Sequence, residues 1–380
     1  MPATVCGATV RIEGIVTPVT AVTARAPAKV NLQLAVGAAR ANGYHDVATV
    51  YHAVSLFDEV TVAPAETDSV TVTGEGADSV PADDTNLAAR AVAALLRAVG
   101  PGAKESPGLA IRISKRIPVA AGLAGGSADA AAALVACNEL WRTGLSQAEL
   151  CELAATIGSD VAFGLVGGTA IGMGRGERVT PALAAGTYHW VLAFATDGLS
   201  TAQVYAAADR IRARRAGQDA APAAASAAAG PDAGRRRVTG KQAGVATRVG
   251  GTPMRGPARS RAGRSGPVAP SGPALDNRLM AALRSGNPAE VGPLLTNDLQ
   301  QAAISLRPEL RRTLAAGMEH GALAAIVSGS GPTCAYLARD ARHAAALAVA
   351  LAGAGVCRTV VHVMGPVPGA SVTSIAPEQG

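Results

Sequence analysis

Aromatic side chains are scarce: Phe, Trp and Tyr supply 3% of 380 residues, so packing has to rest on the Ala, Val and Leu of a 49% hydrophobic chain. There is no uninterrupted apolar run long enough to span a bilayer, and the opening residues, MPATVCGATVRIEG, lack a charged leader followed by a hydrophobic stretch. Membrane insertion and secretion are therefore not expected. The five cysteines, Cys6, Cys137, Cys151, Cys334 and Cys357, are odd in number and never spaced C-x-x-C, which argues against a disulfide scaffold and a zinc site. A cytoplasmic location fits that usage. What the chain does have is Gly (44) and Pro (23), hence many turns, and enough length for one large or two ordinary domains.

The net charge of +6 is unevenly placed. Residues 206–273 hold thirteen Lys and Arg against three Asp, a local +10, which leaves 21 basic and 25 acidic residues elsewhere. The same segment is rich in Ala, Gly, Pro, Ser and Arg, contains no aromatic residue, and has Ile211 as its sole Ile or Leu. Such a composition cannot offset the entropy of ordering, so a disordered insertion is expected there. Residues 1–20 and 367–380 read as a peripheral extension and a tail, with a first domain over 21–184 and a second over 185–366, interrupted by the insertion.

Alternation in KVNLQLAV and ATVYHAVSLFDEVTV predicts antiparallel strands joined by a turn ending at Gly43. Asp84 or Thr85 is positioned to cap a helix ending at Gly100, and LAIRISKRI predicts a strand. An Ala-rich helix follows to about Trp141, and Ser146 with Glu149 forms a capping box for the next. After the insertion, LDNRLMAALRSG, NPAEVGPLLTNDLQQAAISL and RPELRRTLAAGMEHG have helical period; LAAIVSGSGPTCAYLA reads as strand, turn, strand; a helix at ARHAAALAVALAGAG and a strand at CRTVVHVM follow. Strands and helices fall in blocks, which predicts an α+β fold over a doubly wound sheet.

PVAAGLAGGSADAAAAL (118–134) is the stretch richest in chemistry. Gly122, Gly125 and Gly126 permit positive φ and close backbone approach, and the loop opens through Ser127 into a helix. Unpaired N–H groups and the positive end of the helix dipole suit phosphates there. The spacing is neither the Walker nor the dinucleotide pattern, and an ordinary glycine turn before a helix has the same look.

The neighbouring motifs settle the matter by resemblance. The loop is similar to the phosphate loop of the GHMP kinase superfamily. APAKVNLQLAVGAARANGYHDVATVYHAV (26–54), IGSDVAFGLVGGTAIGMGRGE (157–177) and VSGSGPT (327–333) match further motifs in order. The closest likeness is to the branch whose acceptor is cytidine diphosphate-linked methylerythritol. The resemblance implies a two-domain α+β fold, an N-terminal domain like ribosomal protein S5 domain 2 and a ferredoxin-like C-terminal domain. It also implies ATP with Mg²⁺ and the phosphorylation of a small-molecule alcohol in isoprenoid precursor synthesis.

The resemblance also implies roles for individual residues. Asp160 matches the catalytic aspartate, a general base on the acceptor hydroxyl; Lys29 matches the lysine that pairs with it and neutralises the transferring phosphoryl group. Pro118, Gly122, Leu123, Ala124, Gly125, Gly126, Ser127 and Ala128 form the ATP loop, with Ser127 a candidate Mg²⁺ ligand and Asp129 a weaker one. Asn31 would bond the methylerythritol end, Tyr44 and His45 would read the nucleobase, and Tyr205 would supply the opposing aromatic face. Ser328, Gly329, Ser330 and Thr333 would line the substrate end. From the residues alone, Asp160 reads sooner as a helix cap and Lys29 as a solvated strand lysine. Two other functions compete: a homoserine or mevalonate-pathway kinase of the same superfamily, and a nucleic-acid module built on the basic segment. The second is opposed by the missing aromatics there.

Overall fold

The computed structural model describes residues 19–41, 43–100, 102, 107–226 and 272–377. Residues 1–210 with 272–380 form one compact unit, which holds every site residue named below, and residues 211–271 form a second. Two long alternating strands, β1 (Val19–Ala39) and β2 (His45–Ala65), form an antiparallel hairpin that sets Lys29 opposite Ala53 and Asn31 opposite Tyr51. Further strands follow: β3 (Ser69–Gly74), β4 (Gly108–Lys115), β5 (Thr169–Gly174), β6 (Arg178–Pro181), β7 (Tyr188–Phe194), β8 (Thr296–Asn297), β9 (Ala324–Val327), β10 (Cys334–Ala338), β11 (Thr359–Gly365) and β12 (Ser371–Pro377). One sheet runs β12-β1-β2-β4-β3, with β5 also on β2, β6 on β5 and β8 on β1; the other runs β11-β7-β10-β9 and is wholly antiparallel.

The helices are α1 (Leu87–Val99), α2 (Gly125–Leu140), α3 (Gln147–Ile157), α4 (Val161–Val166), α5 (Thr201–Ser226), α6 (Asn277–Ser285), α7 (Pro288–Val291), α8 (Gln300–Leu306), α9 (Leu310–Glu319) and α10 (Ala341–Gly353). A helix apolar on every side has to be central. Accordingly α2 buries Ala130 to Leu134, Ala136 and Cys137 in one core with α1 and the inner face of the hairpin. The capping box at Ser146 and Glu149 is present on α3. Among the described residues no helix is long and apolar enough to cross a membrane.

Four local expectations are corrected. Asn86, not Asp84 or Thr85, caps α1, its side chain accepting from the Ala88 N–H. The stretch 287–306 is not one helix: Gly292 and Pro293 break it, and β8 pairs in parallel with β1 before α8 begins. Residues 371–377 are not a tail but edge strand β12, antiparallel to β1. The expected disordered insertion begins inside α5, which continues to Ser226; the remaining 227–271, like residues 1–18, lies outside the described residues.

Candidate active site

The hairpin, the loop after β4, the turn before α4 and the N-terminal half of α5 line one cleft of about 850 Å³. Lys29, Asn31, Tyr44, His45, the loop from Pro118 to Ser127, Asp160, Tyr205 and Ser330 all reach it, although they come from five separate parts of the chain. Leu123 and Ala128 of the expected loop set and Ser328, Gly329 and Thr333 of the C-terminal turn stand behind the wall.

At its centre Lys29 Nζ lies 3.8 Å from Asp160 Oδ2. Lys29 is almost fully buried and donates to Asn31 Oδ1 at 2.6 Å; Asn31 in turn donates to Thr49 Oγ1 at 2.7 Å, which donates to the Gln33 carbonyl at 2.6 Å. Period two in β1 puts Lys29 and Asn31 on one face, so the chain of bonds is a product of strand geometry. Burial lowers the Lys29 pKa and the neighbouring Asp160 carboxylate opposes that shift. Asp160 caps nothing: it precedes α4 with no side-chain cap bond. Its Oδ1 instead accepts from the Tyr51 hydroxyl at 2.7 Å, and burial followed by the Asp160 charge raises the Tyr51 pKa well above its ordinary value. Tyr51 was not singled out from sequence; it lies within the first matched motif, two residues from Thr49.

The phosphate loop departs from the expected glycine usage. Gly122 has φ +77°, but Gly125 and Gly126 are the first residues of α2, and the other positive φ values belong to Ala120 (51°) and Ala124 (62°). Non-glycine residues held there store strain of roughly 1–3 kcal/mol each, typical of ligand-gripping loops. Ser127 therefore does not cap the helix; Ala124 occupies the cap position without a side-chain bond, and the N–H groups of Gly125, Gly126 and Ser127 have no intrahelical acceptor. Space at Gly125 is tight, since a Cβ there would lie 3.1 Å from Lys115 Nζ and from the Ile117 side chain.

The C-terminal turn acts as a buttress. Ser328 Oγ donates to the Gly122 carbonyl at 3.1 Å, the Thr333 N–H donates to the Ala121 carbonyl at 3.3 Å, and the Lys29 N–H donates to the Leu123 carbonyl at 3.2 Å. At Gly329, φ is +55° and a Cβ would lie 2.8 Å from Lys29 Nζ. Only Ser330 of this turn faces the cleft, bonded at 3.0 Å to Thr201 Oγ1 of α5.

Under the loop lies an ion cluster that the sequence did not disclose. Lys115 Nζ donates to Asp58 Oδ2 at 2.5 Å and to Asp129 Oδ2 at 2.6 Å, all three buried. Asp58 Oδ1 also accepts the N–H groups of Arg116 and Ile117, pinning the exit of β4. Burial opposes the charge on Lys115, but Asp129 and Asp58 together raise its pKa; burial pushes the Asp129 carboxyl up to about 7, with Lys115 offsetting only part. Asp129, weighed as a metal ligand, gives Oδ2 to Lys115; its Oδ1 is buried with no hydrogen-bond partner among the described residues, and the residue lines the cleft.

At the other end, Tyr44 is 55% exposed with the Arg175 guanidinium 5.2 Å from its ring centre. His45 lies 4.9 Å, ring to ring, from Tyr205.

The glycine-rich loop at the head of α2, the lysine–aspartate couple in the same cleft and an α+β fold of this topology fit one class of protein, the GHMP kinases. The N-terminal domain profile of that family matches residues 86–175 and its C-terminal profile residues 279–357. The chain is 49% identical over 348 residues to a 4-diphosphocytidyl-2-C-methyl-D-erythritol kinase of Nocardia farcinica, covering 92% of this chain and 95% of the relative. It is 46% identical over 361 residues to that of Mycobacterium tuberculosis, covering 95% and 96%. A crystal structure of 4-(cytidine 5'-diphospho)-2C-methyl-D-erythritol kinase superposes with TM-score 0.60 at 28% identity, covering 90% of this chain and 98% of the other. Mevalonate kinase of L. major, at 15% identity and TM-score 0.61 over 92% and 97%, shares the fold. The chain belongs to the 4-diphosphocytidyl-2-C-methyl-D-erythritol kinase family of GHMP kinases.

Proposed function

We propose that the protein transfers the γ-phosphoryl group of ATP to the C2 hydroxyl of 4-diphosphocytidyl-2-C-methyl-D-erythritol, giving the 2-phosphate and ADP, a step of isoprenoid precursor synthesis in the cytoplasm. One observation carries the reading: the 3.8 Å couple of Lys29 and Asp160 shares a single cleft with the phosphate loop and with Tyr44, His45 and Tyr205.

In this reading the loop N–H groups and the N-terminus of α2 hold the terminal phosphates, which fixes the reacting group before any bond changes. Asp160 takes the proton from the acceptor hydroxyl, and the Tyr51 hydroxyl and Lys29 ammonium orient the carboxylate for it. Lys29 then faces charge accumulating on the transferred group inside a cleft wall that excludes water from the lysine stem. Asn31, on the Lys29 face of β1, is placed for the methylerythritol hydroxyls, and Ser330 for the same end. The Ser127 hydroxyl, an oxygen donor on the cleft wall, suits a hard cation and would hold the Mg²⁺ that accompanies ATP, which would supply neutralisation of phosphate charge.

The runner-up, a kinase for mevalonate or homoserine, leaves the aromatic end of the cleft without a purpose, because those acceptors carry no base. Nor does the reading need a nucleic-acid or membrane partner. Offering ATP, Mg²⁺ and each acceptor separately, with phosphorus NMR of the products, tests it. A new phosphomonoester only on the cytidine-bearing acceptor is expected; equal or greater turnover of mevalonate or homoserine would overturn it.

A further inference from the structure

The geometry points to Asp209 as the positioning residue that makes the cleft read cytosine over uracil, acting through the tautomer of His45. The inference rests on the proposed cytidine-bearing acceptor. Asp209 falls inside the stretch whose composition reads as an insertion, and no motif drew attention to it. Yet α5 carries Tyr205 and Asp209 one turn apart, so both face the cleft together.

His45 Nε2 sits 3.0 Å from each carboxylate oxygen of Asp209. A carboxylate only accepts, so Nε2 carries the proton. In the neutral form of such a ring, Nδ1 is the acceptor. Among the described residues Nδ1 makes no hydrogen bond, and His45 lines the cleft. His45 is otherwise well fixed: it is buried except at the cleft, begins β2 opposite Ala39, and stands against the Tyr205 ring. Its one remaining polar atom is thus an oriented acceptor at the aromatic end of the cleft.

The two pyrimidines differ at the matching position. Cytosine offers an exocyclic amine, a donor, where uracil offers a carbonyl oxygen, an acceptor. An acceptor Nδ1 pairs with the amine and faces the carbonyl with lone pair against lone pair. Removing the carboxylate frees the imidazole to move its proton to Nδ1, and the preference weakens. With Asn in place of Asp, an amide N–H can donate to Nε2, which places the proton on Nδ1 and turns the ring toward a carbonyl partner. A site built around one hydrogen-bond polarity rejects the opposite one strongly, so the expected change is large.

The test compares kcat/KM for the cytidine- and uridine-diphosphate-linked acceptors in the wild type, Asp209→Ala and Asp209→Asn. Both variants should lower the cytidine-to-uridine ratio by about tenfold or more, Asp209→Asn the further, while KM for ATP stays within about twofold. Long-range proton–nitrogen NMR of His45 in the full chain should show the proton on Nε2 in the wild type and its loss from that atom in Asp209→Asn. An unchanged ratio in both variants, or a wild-type ring protonated on Nδ1, alone or together with Nε2, would overturn the inference. A wild type that phosphorylates neither acceptor would instead overturn the functional reading beneath it.

Discussion

Tyr51 donates its hydroxyl hydrogen to Asp160 at 2.7 Å across 109 residues of sequence, on the opposite carboxylate oxygen from the one that faces Lys29. Two neighbours therefore fix the carboxylate from both sides and leave its remaining approach toward the cleft. Glycines maintain the Tyr51 side of this arrangement: a Cβ at Gly176 would lie 2.4 Å from the Tyr51 hydroxyl oxygen. Tyr51→Phe should lower kcat by roughly tenfold, the worth of one hydrogen bond to a charged group, with little change in KM for ATP. Steady-state kinetics at saturating acceptor measures it.

The loop's fit against the C-terminal turn predicts a nucleotide defect from a single methyl group. At Gly122 φ is +77° and a Cβ would fall 2.1 Å from the Ser328 carbonyl oxygen. Gly122→Ala must move the loop or the buttress, and both hold the phosphate amides. We expect KM for ATP to rise about tenfold or more, with unfolding shifted by about 1–3 kcal/mol. Gly353→Ala, with open space at its Cβ inside α10, is the control: KM for ATP should not change and stability should not fall.

The buried cluster of Lys115, Asp58 and Asp129 predicts a large stability loss from its central member. Lys115→Met leaves two carboxylates facing one another without their cation, which costs about 3–5 kcal/mol in comparable buried pairs. Denaturant unfolding should show it, and Asp58→Asn with Lys115→Met should recover part of the loss.

His52 gives the fold an acid-sensitive core. It is fully buried, bonded through Nδ1 to Thr169 Oγ1 at 2.9 Å, and burial pulls its pKa from 6.5 to about 4. The unfolded chain thus binds this proton first as pH falls. Its contribution is complete above about pH 6.5 and is lost progressively toward pH 4, at up to about 1.4 kcal/mol per pH unit. Unfolding free energy should fall through that window, and His52→Gln should show a shallower slope.

Much of the site was legible because motifs encode local shape: the hairpin, the loop before α2 and the turn before Asp160 need only neighbouring residues. The misses are long-range or masked by composition. Lys115 looked like the polar end of an alternating strand, and only folding brings Asp58 from 57 residues away. Tyr51 sat in a buried run where an aromatic residue reads as core. Asp209 lay in an Ala- and Arg-rich stretch whose bulk composition hid one turn of α5. The Asn86 cap and strand β12 were misplaced because Asp, Thr and Asn compete for a cap within three residues, and because an edge strand carries few apolar side chains.

The central claim is that Asp160 removes the acceptor proton while the loop holds ATP without its help. Rapid-quench single-turnover transfer of the γ-phosphoryl group, run on the wild type and Asp160→Asn alongside calorimetric ATP binding, tests it most directly. The account predicts a transfer rate lower by about 10²–10⁴ with the ATP dissociation constant within about threefold. Near-normal transfer in Asp160→Asn would contradict it.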